Sequence, residues 1–144
     1  MGGCSGIRAA KLVQKIYQDK NISAVVDRGY YRLEDVIRQR ASGCAQGLAF
    51  RTMRCIEWDV SCDGEPELGG HILAIGANED QTVPLESFYG NSEEVKKLKN
   101  LEVLYISGDD SSPDPHTRYW TEQEQGQIGD ALRRLTATEK EEAV

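Results

Sequence analysis

From Leu48 to Val60 the chain alternates. Leu48, Phe50, Ile56, Trp58 and Val60 hold even positions, together with Thr52 and Arg54. Ala49, Arg51, Met53, Cys55, Glu57, Asp59 and Ser61 hold the odd ones. Successive side chains of a β-strand point to opposite faces, so a period of two puts the even set on a core face. Thr52 and Arg54 interrupt the pattern midway, which marks a bulge or a break. A strand this long needs partners, and the next segments offer them. Ile72–Ile75 reads as a buried strand. Asn78, Glu79 and Asp80 make a turn, and Gln81–Val83 reads as a short strand. Pro84 lacks an amide hydrogen, so that strand ends there or lies at an edge. Strands that follow one another through turns predict an antiparallel meander.

Helices bracket this run. Ala9, Leu12, Val13, Ile16 and Tyr17 recur at three- and four-residue spacing and predict a first helix with that stripe inward and Ser5 as its N-cap. Ile22–Val26 is short and β-branched, a candidate strand closed by Gly29. A second helix is expected over Tyr31–Ala41, with Leu33, Val36 and Ile37 inward and Ser42-Gly43 at its end. Ser92 is placed to cap a short helix with acids in its first turn and lysines in its last. Leu101–Ser107 is a further strand. Thr121 and Glu124 form a T-x-x-E capping box ahead of an apolar stripe of Ile128, Ala131, Leu132 and Leu135. The expected fold is therefore α+β: an antiparallel meander sheet packed with about four helices, with helices at both chain ends. Leu98–Leu104 resembles one unit of a leucine-rich repeat. It occurs once, and a solenoid needs about three copies to bury its faces.

The 144 residues suit a single globular domain over 1–135, followed by an acidic segment, 136–144, that is expected to fray. The formal net charge of −7 argues against nucleic acid, whose binding relies on a basic surface that releases counterions. Arg28, Arg32, Arg38, Arg40, Arg51 and Arg54 nevertheless crowd one stretch and raise a local basic patch as an expectation. No apolar run approaches the roughly 20 residues that span a bilayer. No signal-peptide core stands at the start. The expectation is a cytoplasmic protein with reduced cysteines and no membrane contact. One motif runs against this. Gly2 and Cys4 match the acceptors of dual N-terminal acylation, although Gly6 stands where Ser or Thr is usual.

The chemistry that the residues allow singles out few sites. Cys44, Cys55, Cys62 and His71 lack the close Cys pair of structural zinc sites, and no motif calls for a cofactor. Asp109, Asp110, Asp114 and His116 fall in a Gly-, Ser- and Pro-rich loop after a strand. Carboxylates there suit a hard divalent cation, and the same residues also suit a plain turn. Weaker candidates are Glu57 and Asp59, two carboxylates on one predicted strand face, and Cys62 with His71, which that strand would bring near each other. Walker, Rossmann, zincin and nucleophile-elbow signatures are absent from the sequence. The leading expectation is a small acidic binding or regulatory protein, of inhibitor, immunity or adaptor type, acting through a protein partner. One alternative is a small enzyme or ligand-binding domain that uses the Asp109–His116 loop, with or without a divalent metal. The other is a subunit whose apolar groups, Phe88 and Tyr89 among them, a neighbour covers.

Overall fold

In the computed structural model of the chain, residues 2–18, 21–55, 68–107, 116 and 118–142 are described. The elements run α1 (Gly2–Ile16), β1 (Ala24–Asp27), α2 (Leu33–Arg40), α3 (Gly43–Cys55), β2 (Ile72–Ala77), β3 (Leu101–Ile106) and α4 (Glu122–Glu142). Three single-turn 3-10 helices lie between β2 and β3.

The sheet is parallel throughout, in the order β1-β2-β3. Ala24 stands opposite Ile72 and Ile72 opposite Leu101. This overturns the antiparallel meander. Tight hairpins cannot join parallel strands; a long crossover must carry the chain back to the same edge. Residues 78–100 do this between β2 and β3. β2 lies in the middle, and all six of its residues are buried. A strand covered on both faces loses its alternation and becomes a continuous apolar run, as Ile72–Ala77 is.

The long alternating segment is where the sequence misleads. Gly43–Cys55 is helical, and its half-buried residues are Gln46, Ala49, Phe50 and Met53, at the spacing of one helix face. Leu48, expected inside, is 67% exposed. Ala, Gln, Leu, Arg and Met favour helix, and here that preference outweighs the accidental alternation. Ile56–Val60 lie outside the described residues. Gln81–Val83 forms no strand: the Asp80 carboxylate accepts the amides of Thr82 and Val83 and turns the chain instead.

Both faces of the sheet are covered. One meets Ile7 of α1, Leu33 and Val36 of α2, and the crossover residues Val83, Phe88, Tyr89 and Val95. The strands give Val26, Ile72, Ala74, Leu101 and Val103 to that cluster. The other face offers Leu73, Ile75, Leu104 and Ile106 to Ile128, Ala131 and Leu135 of α4. α2 and the crossover between β2 and β3 thus lie on the same side as α1. Phe88 and Tyr89 are 2% and 0% exposed, so they serve this core and no neighbour is needed to cover them. A Cβ added at Gly76 would lie 2.9 Å from the Phe88 ring, which explains the bare backbone at that point of β2. Among the described residues no helix is long and apolar enough to cross a membrane.

Candidate functional site

Parallel strands all end on one edge, and in open α/β sheets that carboxyl edge is where ligands gather. Here it carries Asp27 at the end of β1 and Arg28 after it, Asn78 to Asp80 after β2, and Ser107 after β3. His116 and the residues 118–121 that lead into α4 also lie at this edge, through His116 on Asp80 and Arg118 on Arg28.

Three contacts tie it down. Asp80, its side chain 2% exposed, pairs through Oδ2 with His116 Nδ1 at 2.9 Å. Its Oδ1 accepts the Thr82 and Val83 amides at 2.8 and 2.7 Å. Arg118 grips Glu124 with both guanidinium Nη atoms, each at 2.8 Å. These hydrogen bonds from Arg118, helped by the Thr121 amide, outweigh desolvation and hold the Glu124 carboxyl down at about 2. The third contact is Arg28. Its guanidinium lies 4.1 Å from the centre of the Trp120 ring and donates to the Arg118 carbonyl at 2.9 Å. Its φ of 46° lies in the left-handed region, which costs a non-glycine residue about 1–2 kcal/mol. The hydrogen bond that the Arg28 amide donates to the Ile75 carbonyl, at 2.8 Å, keeps it there.

These groups are engaged with one another, so the edge works first as a clasp that holds α4 to the sheet. The topology adds nothing to open it. A ligand crevice forms where strand order reverses, and among the described strands the order β1-β2-β3 does not reverse. One element has chemical potential. An imidazole oriented by a buried carboxylate is the arrangement that backs metal ligands and general bases.

The chain matches no family model, no curated protein and no solved structure.

The candidate residues divide between opposite ends of the sheet. His116 is at the carboxyl edge. His71 precedes β2 at the amino end, where its amide donates to Ser23 Oγ at 3.0 Å and its carbonyl accepts the Ala24 amide at 2.9 Å. β2 is six residues long, so the two histidines stand roughly 20 Å apart along the strand direction. They do not converge. Asp109, Asp110 and Asp114, and the weaker candidates Glu57, Asp59 and Cys62, lie outside the described residues. Cys44 and Cys55 are exposed free thiols on α3. Among the described residues no three His, Cys, Asp or Glu side chains stand close enough to hold a metal ion.

The arginines of the expected basic patch disperse. Arg28 joins the clasp, Arg32 reaches Glu94, Arg38 lies over the Phe50 ring and Arg40 donates to the Asp80 carbonyl. The sequence offers Asp80 only as a turn residue and Arg28 only as part of a basic patch, and it gives no sign of Arg118. Their role comes from long-range contacts, and no local motif signals it. Glu124 was legible only as half of a capping box, whose two bonds form as expected.

The surface holds a second kind of feature. Leu12, Ile16 and Tyr17 of α1 are 61%, 64% and 50% exposed, and Leu48 of α3 is exposed as well. Large apolar groups in water are the more informative sign here, since the polar groups of the edge satisfy one another.

Proposed function

We propose that this protein is a non-enzymatic binding or regulatory protein, of inhibitor or adaptor type, that acts through a protein partner. The supporting observation is α3. Among the described residues this helix supplies none to either core cluster, and its inward positions are only half-buried. It packs chiefly on α2 and holds Leu48 out to solvent. A helix that the core does not need is free to serve a contact. An apolar side chain at its middle suits the centre of an interface better than its rim. Quantitative affinity capture with the wild-type chain and a Leu48→Glu variant tests this. The expected result is one partner recovered by the wild type and lost by the variant, with equal melting temperatures. Identical recoveries from the two baits would remove α3 from the proposal.

The Asp80–His116 pair supports a second reading, a divalent-ion site in the Asp109–His116 loop. A histidine that gives one ring nitrogen to a carboxylate is oriented to offer the other to a metal. Millimolar Mg²⁺ or Mn²⁺ should then raise the melting temperature of the wild type. An equal rise in an Asp109→Ala, Asp110→Ala, His116→Ala variant would rule that loop out.

A further inference from the structure

α1 has two faces, and the structure assigns them opposite to the reading of its sequence. Ile7, Ala10, Lys11 and Gln14 turn toward the body. Ile7 is 2% exposed, and Gln14 Oε1 accepts the amides of Ile22 and Gly69. At 100° per residue, Ala9, Leu12, Val13, Ile16 and Tyr17 centre on the far side. That stripe is continuous: no polar residue interrupts it. Arg8 and Lys15 lie along one flank, where the apolar stripe meets the polar side. The helix Gly2–Ile16 contains Arg8, Lys11 and Lys15 and no acidic residue, in a chain whose net charge is −7.

We propose that α1 docks on an anionic lipid surface, lying in the interface plane with Leu12, Val13 and Ile16 among the acyl chains. Three observations choose lipid over protein. Protein interfaces carry about one hydrogen bond per 100–200 Å², whereas the stripe offers no directional group except the Tyr17 hydroxyl at its end. Interfacial helices place cationic stems at the edge of the apolar face, so that the charges reach the headgroups, as Arg8 and Lys15 are placed. An aromatic residue with a polar tip suits the headgroup level, and Tyr17 is half-exposed there. The charge sign selects anionic lipid, toward which a basic segment is drawn within a Debye length. α1 lies on the bilayer and does not span it.

The test uses the full chain produced without acylating enzymes, so that α1 alone is read. Its probes are vesicles of phosphatidylcholine and of phosphatidylcholine with phosphatidylserine at roughly 7:3, a composition with the anionic content the headgroup contacts require. Co-sedimentation should favour the anionic vesicles by at least about tenfold, and the preference should fade with added salt. Leu12→Glu, Ile16→Glu should cut binding by at least about tenfold with an unchanged melting temperature, because both side chains are already largely in water. Arg8→Glu, Lys15→Glu should abolish the preference for phosphatidylserine while the apolar stripe is intact. Absence of binding to anionic vesicles, or equal binding by the Leu12→Glu, Ile16→Glu variant, overturns the proposal. So does a wild-type dimer in light scattering that the same variant dissolves without any vesicle binding, since the stripe would then belong to a second copy of the chain.

Discussion

α1 and α4 lie on opposite faces of one three-stranded sheet, and each carries an apolar stripe at helical spacing. α4 turns most of its stripe inward: Ala131 is 0% exposed against Leu73, Ile75 and Ile106, with Ile128 and Leu135 beside it, while Leu132, expected in the same stripe, is 38% exposed. α1 turns its stripe outward and anchors itself through Ile7, Ala10 and Gln14. Periodicity thus establishes that a helix is amphipathic. It does not establish which surface the apolar side meets. The arbiter is what else holds the helix. α4 has a capping box and the Arg118–Glu124 pair to fix its start and rotation, while α1 is seated by the buried Ile7 and by Gln14, whose side-chain oxygen accepts two backbone amides.

The largest effect expected from this comparison lies at the centre of the α4 contact. Ala131→Asp would bury a carboxylate among Leu73, Ile75 and Ile106, a cost of about 4 kcal/mol. Chemical denaturation should show a matching drop in the midpoint. A loss below about 1 kcal/mol, the size of an ordinary surface change, would mean that α4 can leave the sheet without much consequence.

The next effect sets two isoleucines of α1 against each other. Ile7→Ala removes a side chain that is 2% exposed and should cost about 3 kcal/mol. Ile16→Ala trims one that is 64% exposed and should change stability by less than about 0.5 kcal/mol. Equal losses would show that the stripe is buried in solution and would reverse the assigned orientation of the helix.

The same logic separates what was legible from what was not. The terminal helices, β1, β3 and the α4 capping box follow from local pattern, and local pattern suffices because each signal lies within one element. The parallel sheet was also signalled, by a feature read too narrowly. Ile72–Ala77 is apolar at every position, which suits a strand covered on both faces. Gly43–Cys55 misled because its residues fit two periods at once, and only intrinsic helix preference separates them. The clasp was out of reach. Arg28 meets Arg118 and Trp120 ninety or more positions away in the chain, and Asp80 meets His116 across thirty-six. Such pairings depend on the strand order, which no single segment encodes.

The smallest of these effects tests how the clasp holds α4, and it is read by pH. The Glu124 carboxyl is held at about 2, below its ordinary 4.5, chiefly by hydrogen bonds from Arg118. A lowered value in the folded state means that folding favours the ionised form. The stabilisation is therefore complete above about pH 4.5 and is lost as the pH falls toward 2. Glu124→Gln removes the charge and keeps the shape, so at neutral pH it should cost about 2 kcal/mol, because the nearly buried Arg118 guanidinium loses its counter-charge. Between pH 5 and about 2 the wild type should lose stability faster than the variant, and the two denaturation midpoints should converge near the acid end. A gap that stays constant over that range would show that Glu124 acts through its shape and its capping bonds alone. In that case the ion pair would not be what sets the rotation of α4, and the contrast with α1 would rest on packing.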